Sequence, residues 1–242
     1  MIKNAMIKTA MILTAGKGMR MRAAPDDPPK PLTEVAGRSL LMRMVARLEA
    51  SGIEKIIVNL HHKAERIERA LAAYDGASEI IISDERAALL ETGGGVKKAL
   101  PLLGDAPFLV ANGDVLWREQ DDENHALSSF ISHFEAQEMQ ALLMLTETAR
   151  ASGYDGKGDY QLLANGRLQR KTGDSAPYVF AGVQILTPAV FETFPAAAFS
   201  LNEVYDRAAA QNALFGHVLD GQWMHVGTPE GRAAAEAFFT GR

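Results

Sequence analysis

Two places in the chain combine residue types that could handle phosphate. The first is LTAGKGMRMR, residues 13–22, where Gly16 and Gly18 alternate with Lys17 and are followed by Arg20 and Arg22. Glycines let backbone amides approach phosphate oxygens closely, and the cations supply counter-charge. The second is Lys30, set beside the rigid Pro31. Together they suggest a loop that wraps a triphosphate. Read alone, the stretch is equally compatible with a solvated turn, because surface loops are often rich in glycine.

Two better-known phosphate loops are excluded. A dinucleotide fingerprint needs a third glycine where Met21 stands, and a helix opening there to aim its amides at a pyrophosphate. Instead the chain runs on as AAPDDPPKPL, with four prolines between positions 25 and 31. Proline removes amide donors and clashes with the preceding turn, so no helix forms through it. A Walker loop needs Lys and then Ser or Thr after its last glycine, but Gly18 precedes Met19.

The elements that must carry these loops follow from hydrophobic patterning. KTAMILTAG is a nearly continuous apolar run ending in glycine, the pattern of a strand buried on both faces. Ser39 caps a predicted helix, SLLMRMVARLEASG, which Gly52 stops. KIIVNL, EIIIS and PFLVANGD read as further strands. KAERIERALAAY reads as a helix, and GGVKKALPLLG as containing a short one. Alternation of this kind predicts βαβ units and a mostly parallel sheet covered on both faces, with ligands beyond the carboxyl ends of its strands. Loops 14–31, 83–95 and 112–118 lie at those ends.

The second half reads as richer in strands: QALLMLTE, DYQLLANGRLQRK with an Asn-Gly hairpin signal, and PYVFAGVQIL. LFGHVLDGQWMHVG is expected to be a second hairpin. LNEVYDRAAAQN and TPEGRAAAEAFFTG are expected helices.

The bulk numbers narrow the partners. The 242 residues include no cysteine, which excludes thiolate catalysis, disulfides and Cys-ligated zinc. The formal net charge is -5, with short basic clusters only at residues 17–22 and 167–171, so no footprint for nucleic acid is present. No apolar run reaches membrane-spanning length, and lysines interrupt the N-terminal apolar stretch, which reads as a strand with a leader rather than a signal peptide. A cytoplasmic protein without membrane association is expected. His125 and His133 lack metal-ligand spacing, and the methionines of LLMRMVARL suit a core.

The glycine loop gains a partner when read with its continuation. LTAGKGMRM followed by KPLTEVAGRSLL resembles the signature of the sugar-1-phosphate nucleotidyltransferases. LLETGGGVKKAL, VANGDVLW, YVFAGVQILTPAVF and WMHVGTPE are similar to later segments of that family, in the same order. The resemblance covers nearly the whole chain. It implies an α/β fold of nucleotide-diphospho-sugar transferase type, with a Rossmann-like, mostly parallel mixed sheet flanked by helices and a β-rich sugar-binding second half. A single domain over 1–242 is expected, its nucleotide-binding half spanning about 1–120 and its sugar-binding half about 121–242.

The implied reaction joins a nucleoside triphosphate and a sugar 1-phosphate into a nucleoside diphosphate sugar and pyrophosphate. Within the family, ETGGG, NGD and VGTPE look most like the enzymes that use UTP and N-acetylmuramate 1-phosphate in cell-wall recycling. Guanylyl transfer to mannose 1-phosphate is the alternative, and a catalytically inactive sugar-nucleotide-binding regulator the non-enzyme alternative. Without an appended assembly domain, a monomer or weak homodimer is expected.

The resemblance also assigns roles. Leu13, Ala15, Gly16, Lys17, Gly18 and Met19 would cradle the nucleotide, and Arg20 would neutralise the leaving pyrophosphate. Lys30 would contact the α-phosphate, and Asp114 would hold Mg²⁺. Glu91, Thr92, Gly93, Gly94 and Asn112 would complete the nucleotide pocket. Gly182 would pass beneath the sugar, where a strand bulge is the other reading, and Lys171 and Asn202 would reach its phosphate. The chain departs from the family at one point: where relatives carry a second metal-binding aspartate it has His225. Imidazole suits Mg²⁺ poorly, so His225 is either a metal ligand or a contact to phosphate or water. Asp220 is a candidate second ligand only if the expected hairpin turns it inward.

Overall fold

A computed structural model describes residues 7–16, 26–119 and 125–241. Lys17, Gly18, Met19 and Arg20 lie outside the described residues.

The apolar runs form the centre of a mixed sheet with nine strands among the described residues. β1 (Thr9–Leu13) pairs in parallel with β4 (Lys55–Leu60) on one side and β6 (Phe108–Asn112) on the other, while the short β2 (Glu34–Val35) and β3 (Arg38–Ser39) pair with each other outside this sheet. β5 (Glu79–Asp84) extends the parallel part beyond β4. β11 (Tyr178–Leu186) joins β6 in antiparallel sense and links it to β8 (Ala141–Glu147), which pairs in parallel with β12 (Leu214–Val218). β9 (Tyr160–Leu162) and β10 (Leu168–Arg170) form the hairpin that Asn165-Gly166 signals, and β9 meets the start of β11. Strands from both halves of the chain thus share one sheet.

Period-2 alternation sorts the sheet residues into two cores. Ala10, Ile12, Ile56 and Val58 face α1 (Leu40–Ala50) and α2 (Ala64–Ala72), and that core continues to α4 (His125–Ser132). Met11, Ile57, Phe108 and Val110 face the other way, toward α3 (Glu91–Leu103) and α5 (Leu201–Ala210). Helices on both faces are what the unbroken apolar strands require. The α1 cap is as expected: the Ser39 hydroxyl accepts from the Met42 amide at 3.3 Å, and Gly52 ends the segment with φ of +82°. Among the described residues no helix is long and apolar enough to cross a membrane.

The second predicted hairpin does not form. β12 stays in the main sheet beside β8, whereas β13 (Gln222–His225) leaves it to pair with β7 (Val115–Arg118). Asp220-Gly221 favours a turn, but strand partners are set by burial. Leu214 and Phe215 are buried against the main sheet, whereas Trp223 and Met224 lie opposite Trp117 and Leu116. A small third core gathers there, with Val35, Leu40, Val226 and α6 (Pro229–Thr240).

Loop 83–95 is shorter than expected, because α3 begins at Glu91 and takes all three glycines into its first turns. Close packing explains them. A Cβ on Gly93 would lie 2.4 Å from the Phe199 ring, and one on Gly94 would lie 2.3 Å from the Ala197 carbonyl oxygen. The segment before α5 therefore sits directly on the helix backbone, with the Gly93 amide donating to the Phe199 carbonyl at 2.8 Å.

Candidate active site

The carboxyl ends of β1, β4 and β6 open into a cavity of about 540 Å³. Its floor is the chain leaving β1, from Leu13 to Gly16, together with Asn59. One wall is Asn112, Gly113 and Asp114 after β6, joined by Lys30 and Pro31. The opposite wall is Leu89, Glu91 and Thr92 at the start of α3, with Ser200 at the cap of α5.

Lys30 is positioned by the proline-rich segment. Pro29 and the 3-10 turn Lys30–Leu32 fix the backbone, with the Leu32 amide donating to the Pro29 carbonyl at 2.8 Å, and Pro31 is buried. The ammonium bonds the Asp114 carboxylate, with the two side chains 12% and 26% exposed. Gly113 makes this meeting possible, since a Cβ there would lie 2.9 Å from the Leu13 carbonyl oxygen.

His225 faces the same carboxylate from β13, opposite Val115 in the ladder. Its Nε2 is 3.6 Å from the Asp114 Oδ2, too long for a hydrogen bond but close enough for strong electrostatic coupling. Burial would raise the Asp114 carboxyl, but the facing imidazole of His225 and the Lys30 ammonium outweigh it and hold the group at about 2. Asp114 is therefore an anion across the physiological range.

The family model described as MobA-like NTP transferase domain matches residues 10–151. The chain belongs to the MobA-like NTP transferase family. An N-acetylmuramate alpha-1-phosphate uridylyltransferase from Caulobacter vibrioides is 42% identical over 95% of this chain and 96% of its own. A protein of the same description from Neisseria meningitidis is 36% identical over 90% and 93% of the two chains. A UDP-glucose pyrophosphorylase from Acinetobacter baumannii superposes with a TM-score of 0.80, at 20% identity, over 97% of this chain and 93% of its own. That last likeness concerns the fold alone.

In this nucleotidyltransferase the cavity brings together Leu13, Ala15, Gly16, Lys30, Glu91, Thr92, Asn112 and Asp114 of the residues singled out by sequence. Gly93 and Gly94 lie behind its wall, buried in α3. Gly182 is a bulge in β11, with φ of +81° and a register shift between Phe180 and Gln184. A Cβ there would lie 2.7 Å from Val115 Cγ1 and 3.2 Å from Asn112 Nδ2, so the bulge seats the turn that carries Asp114. Lys171 and Asn202 do not line the cavity. The Asn202 carbonyl accepts from Arg170, and the Lys171 amide donates to the Asp159 carbonyl. Asp220 is not turned inward: it lines a separate cavity with Arg118 and Gln222, because the hairpin that would have carried it does not form.

Sequence reasoning missed a buried polar chain beneath the floor. The Thr14 amide donates to Asn59 Oδ1 at 2.7 Å, and Asn59 Nδ2 donates to Glu85 Oε1 at 2.8 Å. All three residues are buried. Burial pushes the Glu85 carboxyl up, against the lowering effect of the Asn59 hydrogen bond and the Leu90 amide. The one available signal was Asn59 itself, a polar residue following the apolar Ile56–Val58 of KIIVNL.

Gly227 was also missed. It lines the cavity, and a Cβ there would lie 2.3 Å from the His225 Cε1. The glycine of VGTPE thus leaves room for the imidazole.

Proposed function

We propose that this enzyme transfers the uridylyl group of UTP to N-acetylmuramate 1-phosphate, giving UDP-N-acetylmuramate and pyrophosphate in cytoplasmic cell-wall recycling. The names of its two relatives support the choice of substrates. The observation that carries the chemistry is the Lys30–Asp114 pair on the wall of the cavity at the carboxyl ends of β1, β4 and β6.

A sugar-phosphate oxygen attacks the α-phosphorus of UTP in line. A new P–O bond forms as the bond to the bridging oxygen of the β-phosphate breaks, and pyrophosphate departs with that electron pair. The nucleophile is already an anion, so no strong general base is needed. Catalysis is positioning and charge neutralisation.

Lys30 stabilises the charge developing around the α-phosphorus. Arg20 neutralises the pyrophosphate, and the amides of Ala15 to Met19, with Lys17 among them, hold the triphosphate. Leu13, Glu91, Thr92 and Asn112 border the nucleotide, and Gly93 and Gly94 let α3 pack closely behind that wall against the segment before α5. The bulge at Gly182 passes beneath the sugar.

The anionic, partly exposed Asp114 fits a divalent cation that takes most of its ligands from substrate phosphates and water. Such an ion supplies neutralisation of the transferring phosphoryl oxygens when bound. The enzyme works as a monomer or weak homodimer.

The test is a pyrophosphate-release panel crossing UTP, GTP, dTTP and CTP with several sugar 1-phosphates. Turnover should be highest for UTP with N-acetylmuramate 1-phosphate. Activity confined to another pair, such as GTP with mannose 1-phosphate, would overturn the substrate assignment.

A further inference from the structure

We propose that Glu85 is a positioning residue for the nucleoside triphosphate. Acting through Asn59, it holds the Leu13–Thr14 peptide of the cavity floor in the orientation that receives the nucleotide. The proposal rests on the nucleotidyl-transfer reading for its ligand.

The three residues lie side by side at the carboxyl edge of the sheet. Thr14 follows β1, Asn59 is the penultimate residue of β4, and Glu85 follows β5. Thr14 and Asn59 line the cavity, and Glu85 sits behind them, 1% exposed. The Leu13–Thr14 peptide is bonded on both edges. Its amide donates to Asn59 Oδ1 at 2.7 Å, and its carbonyl accepts from the Gly113 amide at 3.1 Å. The second bond ties the floor to the turn that carries Asp114. The Thr14 hydroxyl adds a bond to the Asn59 carbonyl.

A side-chain amide can present either of its ends to a neighbour. Glu85 removes that choice. A carboxylate only accepts, so Asn59 aims Nδ2 at Glu85 Oε1, at 2.8 Å, and Oδ1 at Thr14. Without that acceptor the amide can turn and set Nδ2 against the Thr14 N–H, donor to donor. Glu85 is itself fixed, because its amide donates to the Leu60 carbonyl at 2.7 Å and its carbonyl oxygen is 2.8 Å from His61 Nδ1.

The packing keeps room for this carboxylate. A Cβ on Gly95 would lie 2.8 Å from Glu85 Oε1 and 3.1 Å from Asn59 Nδ2. The third glycine of ETGGG thus lets α3, whose first residues form the opposite wall, rest on the Asn59–Glu85 bond. Glu85 Oε2 is buried and makes no well-formed hydrogen bond. An apolar side chain would fill the same space without that desolvation cost. What the carboxylate supplies in return is the set of the floor.

The experiment titrates UTP with Mg²⁺ into the full-length protein by calorimetry, without sugar phosphate. Glu85→Leu keeps the volume and removes the acceptor, and should raise the UTP dissociation constant about tenfold or more at unchanged stoichiometry. Glu85→Gln still offers an oxygen to Asn59 and should recover affinity to within about threefold of wild type. Because Glu85 acts through Asn59, Glu85→Leu with Asn59→Leu should bind no more weakly than Asn59→Leu alone. In turnover, Glu85→Leu should raise KM for UTP and leave KM for the sugar 1-phosphate within about threefold. A purely structural role would instead lower the number of competent sites or move both constants together. Unchanged UTP affinity in Glu85→Leu, no recovery in Glu85→Gln, or equal changes in both KM values would overturn the proposal. A measurement on wild type guards against a misfolded variant: the Thr14 amide should exchange its hydrogen slowly before any ligand binds. Free exchange there would overturn the proposal by itself. UTP affinity that follows this pattern in a protein releasing no pyrophosphate would leave the positioning role standing and remove the transferase reading. Turnover with UTP affinity indifferent to Glu85 would do the reverse, and wild type that binds no nucleoside triphosphate would overturn both.

Discussion

Lys30 and Asp114 stand 84 positions apart in the chain and meet as an ion pair on the wall of one cavity. A proline-rich segment delivers the ammonium and the end of an apolar strand delivers the carboxylate.

Lys30→Met removes the ammonium while keeping much of the side-chain volume. It should lower kcat by about 10²–10³, the usual effect of deleting one preorganised charge-stabilising donor. Steady-state kinetics beside a thermal melt check this. A kcat within threefold of wild type would remove Lys30 from the chemistry.

The Asp114 carboxyl sits at about 2 in the folded protein, below its ordinary value near 3.9 when unfolded. Its anion therefore favours the folded state above pH ~4, and that contribution fades as pH falls toward 2. The stability difference between wild type and Asp114→Asn should shift against wild type by about 1 kcal/mol between pH 6 and 3. Urea unfolding of both proteins between pH 6 and 3 measures the slope, and a flat difference would mean that the carboxylate is not held by Lys30 and His225.

Gly227→Ala places a methyl group where the His225 ring lies, 2.3 Å from Cε1. The ring must move, and turnover should fall about tenfold or more with little loss of stability, since sub-ångström placement matters in phosphoryl transfer. A double-mutant cycle with His225→Ala separates the causes. If the glycine acts only through the imidazole, Gly227→Ala should cost nothing further once the ring is gone.

Gly94 tests packing against propensity. In an isolated helix, Gly→Ala gains about 1 kcal/mol. Here the new Cβ would meet the Ala197 carbonyl oxygen at 2.3 Å, so Gly94→Ala should instead destabilise by about 1–3 kcal/mol. Chemical denaturation decides the sign.

The parallel strands were legible because burial on both faces leaves an unmistakable apolar run, as in TAMIL and KIIVNL. The α1 cap was legible because Ser39 and Gly52 act locally. Lys30 and Asp114 were singled out through the resemblance of KPL and VANGD to family segments; Lys30 lies in a 3-10 turn and Asp114 just after β6.

What stayed hidden depends on partners remote in sequence. Nothing within LFGHVLDGQWMHVG says that its two strands will pair with β8 and β7 instead of each other. The triple glycine reads as freedom, yet Phe199 and Ala197, more than a hundred positions later, turn it into a packing surface. The Thr14–Asn59–Glu85 chain joins the ends of three segments through hydrogen bonds that no local pattern encodes.

The central claim is that this cavity joins UTP to N-acetylmuramate 1-phosphate with release of pyrophosphate. ³¹P NMR of the two substrates, the protein and a divalent cation tests it most directly. The predicted result is equimolar growth of UDP-N-acetylmuramate and pyrophosphate signals, slowed at least a hundredfold in Lys30→Met. Unchanged UTP beside unchanged sugar phosphate with correctly folded wild-type protein would contradict it.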